Sequence, residues 1–124
     1  MDESLYEQVG GDPFFIQLVD SFYDVVELDA TLRPMYPEDL SESRRHLTLF
    51  LIQYWGGPRT YQQERGHPRL RMRHVPFRVT REASSAWLAA MATALSSVRE
   101  QLNDEQFDEL HAYFDVTANQ LRNA

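Results

Sequence analysis

Apolar side chains recur every three or four residues along four long stretches of the chain, which is the spacing of a helix with one buried face. The first stretch runs from Pro13 to about Glu27, and its apolar stripe consists of Phe15, Leu18, Val19, Phe22 and Val26. The others run from Ser41 to Trp55, from Thr80 to about Gln101, and from Asn103 to about Arg122. No stretch has the strict alternation of a strand. The pattern therefore predicts an all-α fold of about five to seven helices.

Residues that begin or end helices bound these stretches. Ser, Thr, Asp and Asn side chains can accept a hydrogen bond from the free N–H groups of the first turn, and Pro fits the first helical position. The predicted caps are Asp12 before Pro13, Asp39 or Ser41, Thr80, and Asn103 with Gln106 as a capping box. Two shorter turns are predicted from Ser4 to Val9 and from Thr31 to Met35.

The segment from Gly56 to His67 contains turn residues and charges but no apolar periodicity. We expect a loop of about twelve residues without regular structure, and a loop of that length in a small domain is usually functional or mobile.

His74 lies at the end of a short helix that two prolines confine. Pro68 can begin a helix, and Pro76 moves Val75 away from helical angles, so about two turns fit between them. At this position the His74 ring can bind a metal through one nitrogen and donate from the other to the carbonyl of Leu70. From these residues alone, a packed or surface histidine is the more common interpretation.

Composition narrows the possible chemistry. With 124 residues we expect one domain, residues 1–124, and the absence of cysteine excludes disulfides and thiolate metal sites. No segment is apolar for long enough to span a membrane, and the acidic start Met-Asp-Glu-Ser is unlike a signal peptide. These features predict a cytoplasmic protein.

The basic residues are all arginine, and seven of the twelve lie between positions 59 and 81, where the only acid is Glu64. The whole chain carries a net charge of −7. Such a patch can be a solvated surface that pairs with the acidic remainder, or it can bind a compact anion such as a cofactor carboxylate. A nucleic-acid surface is disfavoured because the overall field is not basic.

Several segments, taken in order, resemble one protein family. The segments are Phe22-Tyr23, Tyr36 to Asp39, Gln53 to Tyr61 with the run Tyr-Trp-Gly-Gly-Pro, Arg65 to His74 with the run Gly-His-Pro-x-Leu-x-x-x-His, and Trp87. In spacing and register they resemble the group II truncated haemoglobins over nearly the whole chain. The resemblance implies a shortened globin fold, in which two helix pairs form a two-over-two sandwich around a b-type haem.

The resemblance also implies roles for individual residues. His74 would be the axial ligand of the haem iron, and Tyr23, Tyr36 and Trp87 would donate hydrogen bonds to the bound gas on the opposite side. Ser43 would stand at the gating position and Leu47 would form an apolar wall. Arg73, Tyr61 and His46 would contact the haem propionates, although relatives often have arginine where this chain has His46.

The remaining haem contacts implied by the family are Phe50, Tyr54, Leu70, Phe77 and Met91. His67 is open between a packing role and a functional one, and we assign no role to His111.

The implied ligands are O2, NO, CO or peroxide, held on a protein that is a monomer or a homodimer. Strong distal donors favour redox chemistry, as NO detoxification or a peroxidase-like reaction, over oxygen delivery, because a carrier must release its cargo. The alternative is oxygen binding, carriage or gas sensing without turnover. Repeated turnover would need an external reductase, since the chain contains no flavin or nicotinamide fingerprint.

Overall fold

The computed structural model describes residues 3–74 and 78–124, and for Arg71 it describes the backbone alone. Regular structure in these residues is entirely helical, which confirms the predicted all-α fold. The helices are α1 (Leu5–Gln8), α2 (Asp12–Leu28), α3 (Ser41–Tyr54), α4 (Thr60–Arg65), α5 (Leu70–His74), α6 (Arg81–Ser97) and α7 (Asp104–Leu121). Short 3-10 turns lie at Arg33–Met35 and Arg99–Gln101. None of these helices is long and apolar enough to cross a membrane.

Helix α2 is the centre of the fold because it packs against both α3 and α6, while α6 also packs against α7. The pairs α2 with α3 and α6 with α7 form the two layers of the expected sandwich. The predicted stripe of α2, from Phe15 to Val26, is fully buried between them. Short helix α5 lies against α7, and this contact places His74 beside the layers.

Most of the predicted caps are present. The Thr80 hydroxyl accepts from the Ala83 N–H at 3.1 Å, and Asn103 and Gln106 form the predicted capping box. The Asp39 carboxylate accepts from the Ser41 N–H at 2.9 Å, although Leu40 is the residue at the cap position.

Asp12 differs from its prediction. It lies inside the first turn of α2, after Gly11, whose φ of 84° suits a glycine at the cap. The Asp12 carboxylate instead accepts a hydrogen bond from the Tyr6 hydroxyl at 2.6 Å. The side chain therefore joins α1 to α2 and does not cap α2.

The prediction of an irregular loop from Gly56 to His67 was wrong, because α4 occupies Thr60–Arg65. This helix buries only Tyr61, so it has no apolar period to detect. It is held from outside: the Gln53 side chain of α3 accepts from the Gln62 N–H at 2.9 Å. Similarly, α6 ends at Ser97 and a 3-10 turn covers the last residues predicted for it.

The capping box provides a direct test of how α7 is held. Removing the Asn103 side chain leaves the Gln106 N–H without its acceptor at 2.8 Å, so Asn103→Ala should cost about 0.5–2 kcal/mol of unfolding free energy. Asn119→Ala is the matched control, because among the described residues the Asn119 side chain bonds only the exposed carbonyl of Asp115 within α7. Thermal denaturation of both variants should show the larger loss for Asn103→Ala; equal losses would contradict the capping role.

Candidate functional site

His74 has the hydrogen bond that its spacing predicts. Its Nδ1 lies 2.7 Å from the carbonyl oxygen of Leu70, and because a carbonyl only accepts, Nδ1 must carry the proton. The other ring nitrogen, Nε2, then has a free lone pair. His74 is half-buried and lines two adjoining cavities, so this imidazole is available to a ligand inside the fold.

The Asn123 side chain forms hydrogen bonds with the backbone on both sides of the segment that follows α5. Its side-chain nitrogen donates to the His74 carbonyl at 3.3 Å, and its side-chain oxygen accepts from the Val79 N–H at 2.8 Å. Sequence analysis missed this residue, because its partners lie more than forty positions away.

The two cavities have volumes of about 420 and 280 Å³. They share several wall residues, so they are neighbouring parts of one space, and together they reach the usual size of a ligand site in proteins. The shared residues are Tyr36, Ser43, His74, Trp87, Thr117 and Leu121. In the smaller cavity, which Tyr23 also lines, the structure thus brings the predicted iron ligand together with all three predicted distal donors.

The three predicted donors form one aromatic group. The Tyr23 and Tyr36 rings meet edge to face with centroids 5.6 Å apart, and Trp87 packs against Phe22 beside them. Tyr23 is buried and lines the smaller cavity, while Tyr36 and Trp87 line both.

Burial keeps both phenols protonated. It raises the pKa of Tyr36 to about 12, and a hydrogen bond with Trp87 opposes part of that rise in pKa. Burial also raises the pKa of Tyr23, helped by neighbouring Tyr36 and opposed by Arg44 and by a hydrogen bond with Ser43. At neutral pH both hydroxyls therefore remain able to donate.

Arg33 holds the loop that carries Tyr36. Its guanidinium donates to the carbonyls of Pro37 at 2.9 Å and Glu38 at 2.7 Å, and lies 3.5 Å from that of Tyr36. Nothing in the sequence pattern indicated this role, because the guanidinium meets carbonyls that only the folded loop presents.

The smaller cavity has a polar edge. The three residues expected at the haem propionates, His46, Tyr61 and Arg73, all line it, and Arg65 joins them through a contact with the His46 ring. The Arg73 guanidinium donates to the carbonyls of Pro68 at 2.7 Å and Arg65 at 2.9 Å, so α5 is fastened to the end of α4. Burial and then the Arg65 charge lower the pKa of His46, which leaves the arginines as the cations of this edge.

The apolar walls agree only partly with the sequence analysis. Leu47, Phe50 and Leu70 line the smaller cavity as predicted. The larger cavity has further wall residues that the sequence analysis did not identify, because they come from three separate parts of the chain: Leu32, Met35, Pro37, Val79, Ala83, Ser84 and Ala118.

Two predicted contacts lie elsewhere. Among the described residues, Met91 is fully buried in the core and Tyr54 is 53% exposed, and neither belongs to the wall of either cavity. The Tyr54 ring lies against Tyr113, with centroids 4.2 Å apart. Phe77 lies outside the described residues. His67 and His111 are both exposed.

These wall residues fit haem. An imidazole with a free nitrogen can bind iron, apolar walls suit the face of a porphyrin, and a cationic edge suits its propionates. His74, the leucine and phenylalanine side chains, and Arg65 with Arg73 supply these three features in turn.

Comparison with known proteins also indicates a haem protein. The bacterial-like globin family matches residues 4–122. The group 2 truncated haemoglobin YjbI of Bacillus subtilis is 42% identical over 118 residues, which cover 95% of this chain and 87% of that protein.

Solved structures agree in fold over the whole chain. A thermostable haemoglobin from Thermobifida fusca is 44% identical with a TM-score of 0.95, covering 98% of each chain. The group II truncated haemoglobin of Bacillus anthracis is 35% identical with a TM-score of 0.94, covering 100% of this chain and 94% of that one. Haem b is the cofactor of this family. The chain therefore belongs to the bacterial-like globin family and, within it, to the group II truncated haemoglobins.

Proposed function

We propose that this globin binds haem b through His74, holds O2 tightly, and takes part in redox chemistry with NO or peroxide in the cytoplasm. One observation carries the proposal: two protonated donors, Tyr36 and Trp87, line the same cavity as the His74 ring. When bound, haem supplies an iron atom that takes diatomic ligands and exchanges electrons. The protein supplies the position of the haem and the polarity around the ligand.

The direction of the distal hydrogen bond supports tight retention. The Trp87 indole has a donor and no acceptor, so the interaction that lowers the pKa of Tyr36 runs from the indole N–H to the phenolic oxygen. The Tyr36 proton is then left free for a ligand. A phenol that also accepts a hydrogen bond is a stronger donor, because bonds in a chain polarise one another.

Neighbouring side chains also hold Tyr23 in position. Tyr23 is hydrogen-bonded with Ser43, and Arg44 lies over the Tyr23 ring at 5.6 Å. Arg44 is itself held by ion pairs with Asp20 at 3.1 Å and Asp24 at 3.5 Å. Tyr23 is therefore fixed from two sides, and its ring supports the edge-to-face contact that orients Tyr36.

Tight binding favours reaction over delivery. Donors that retain an oxygen ligand slow its release, which suits a protein that consumes O2 where it is bound. The concrete reactions proposed are conversion of NO, O2 and one electron to nitrate, and a peroxidase-like oxidation. Either one needs electrons from an external reductase.

Removing a donor should accelerate oxygen release. A hydrogen bond to a group with negative charge contributes about 1.5–3 kcal/mol, so Tyr36→Phe and Trp87→Phe should raise the oxygen off-rate roughly 10- to 150-fold. Tyr36→Phe should have the larger effect, because it removes the free hydroxyl proton. Stopped-flow displacement of O2 by CO measures the rates.

Trp55→Phe is the matched control for these variants. The Trp55 indole nitrogen is buried without a hydrogen-bond partner in the described structure, and Trp55 does not line either cavity. Its off-rate should equal that of the wild type. Unchanged rates in both Tyr36→Phe and Trp87→Phe would remove these residues from the ligand site.

Repeated turnover distinguishes an enzymatic function from oxygen binding alone. With O2, NO and a supply of reductant, we expect nitrate to accumulate well beyond one equivalent per protein, at a rate that follows the reductant concentration. Ion chromatography measures the nitrate. A single stoichiometric burst would instead support oxygen binding, carriage or sensing without turnover.

A further inference from the structure

One tyrosine of the chain faces solvent. All six tyrosines lie in the described residues, and Tyr54, at the end of α3, is the exposed one, at 53%. Its side chain is nevertheless packed along one side. The centroid of its ring lies 4.2 Å from that of Tyr113 and 5.0 Å from that of Trp55. Tyr54 is therefore the solvent-facing member of an aromatic group.

Tyr113 joins this group to the cofactor cavity. It lies on α7 and lines the smaller cavity together with Phe114, whose ring centroid is 5.3 Å from its own. Phe114 in turn packs against Trp87, with centroids 5.9 Å apart. Ring contacts thus run from the cavity to the surface, and a single side chain, Tyr113, connects the cavity wall with Tyr54.

Rings in such contact can pass electrons. The rate of electron transfer falls steeply with distance, so transfer between two rings in van der Waals contact is fast. Tyrosine and tryptophan are among the side chains that lose an electron most readily, and the chain has no cysteine to compete with them. An oxidant in the cavity can therefore draw electrons from the surface through Tyr113.

Proton acceptors decide where the electron is finally lost. A phenol that gives up an electron also gives up its hydroxyl proton, because the oxidised phenol is a strong acid. Burial raises the pKa of Tyr113 to about 12, and a hydrogen bond with Thr117 opposes part of that rise. The Trp55 indole nitrogen is buried without a partner among the described residues. Tyr54 faces water, which can take its proton, so the oxidised state settles on Tyr54.

We propose that Tyr54 is the surface site at which this globin oxidises phenolic substrates too large to enter the cavity, with Tyr113 as the relay to the cofactor cavity. This inference rests on the peroxidase-like form of the proposed function, in which hydrogen peroxide is the oxidant. Tyr54 contacts the substrate, and Tyr113 acts through Tyr54.

The reaction balances as an exchange of hydrogen atoms. One molecule of hydrogen peroxide takes up two electrons and two protons and yields two molecules of water. Tyr54 supplies the electrons one at a time through Tyr113, and each time its hydroxyl proton leaves through solvent. A phenol then returns one hydrogen atom to the Tyr54 oxygen. Two phenols thus become two phenoxyl radicals for each peroxide, and the protein is unchanged.

The chemistry of the site selects its substrate class. An oxidised Tyr54 lacks one hydrogen atom, and the O–H group of a phenol supplies one. The exposed ring also offers an aromatic face against which a phenol can stack. Because this face is on the surface, the size of the cavity does not limit the size of the substrate.

Radical labelling of the ferric holoprotein locates the oxidised residue without measuring turnover. Hydrogen peroxide is added with a urazole reagent that couples to tyrosyl radicals, and peptide mass spectrometry finds the label. We expect the label on Tyr54, and loss of most of it in Tyr113→Phe, because phenylalanine keeps the ring packing but is not readily oxidised. Tyr6→Phe is the matched control and should keep the label, since among the described rings Tyr6 packs only against Phe15 and its hydroxyl bonds Asp12.

A phenol joined to dextran tests the size of the substrate. The conjugate cannot enter the cavity, so Tyr54→Phe should lower the rate of its oxidation more than the rate for the free phenol. Tyr54→Trp should restore the ratio of the two rates, because tryptophan supplies an oxidisable ring at the same place. Tyr6→Phe should keep the wild-type ratio.

The outcomes separate this inference from the proposed function. A haem whose Soret band does not respond to peroxide would remove the peroxidase-like reaction and this inference with it. A haem that responds to peroxide while the label is confined to Tyr23 or Tyr36 would overturn the inference alone. A ratio of rates in Tyr54→Phe equal to that of the wild type would also overturn the inference alone.

Discussion

The hydrogen bond from His74 Nδ1 to the Leu70 carbonyl is the contact on which the haem site depends. It fixes the tautomer of the ring, and it leaves one nitrogen free toward the cavity. Helix α5 has only five residues, too few to be stable alone, so the bond needs outside support. That support comes from α7, from Arg73 on the preceding carbonyls, and from Asn123 on the His74 carbonyl. The position of one imidazole thus depends on α7 and on Asn123 near the end of the chain.

On the distal side, the donors are positioned by packing, because they are aromatic side chains in the interior of the protein. Tyr23 and Trp87 sit on long helices, whereas Tyr36 sits on a loop that Arg33 holds by its carbonyls. Burial makes the Tyr23 and Tyr36 hydroxyls hard to ionise, so both keep their protons at neutral pH. The polarity of the site is therefore a consequence of packing, and the fold and the proposed chemistry share the same residues.

Local spacing explains what the sequence could predict. The α2 stripe, the Thr80 cap, the Asn103 capping box and the His74–Leu70 bond all join residues three or four positions apart, and the structure confirms each of them. The family resemblance added the haem and the pairing of helices, which spacing alone does not give.

Contacts between residues that are far apart in the chain explain what the sequence could not predict. Helix α4 has no apolar period and is held by Gln53 of α3. The Asn123 side chain donates to the carbonyl of His74, which lies 49 positions away. The Arg33 guanidinium donates to a carbonyl that only the folded loop presents. Met91 lies on the expected helix, but it is fully buried in the core, and burial alone does not decide whether it contacts haem. The roles assigned to individual haem contacts stay predictions.

The most direct test of a His74-bound haem is the absorption spectrum of the purified protein, recorded ferric, reduced in air and reduced under carbon monoxide. His74→Ala should be measured beside it, with His111→Ala as the control, because His111 is exposed and stacks on Phe107 of α7. We expect an intense Soret band that shifts with each gas, is lost or altered in His74→Ala, and is unchanged in His111→Ala. A colourless protein that does not respond to added haem, or a His74→Ala spectrum identical to the wild type, would contradict the account.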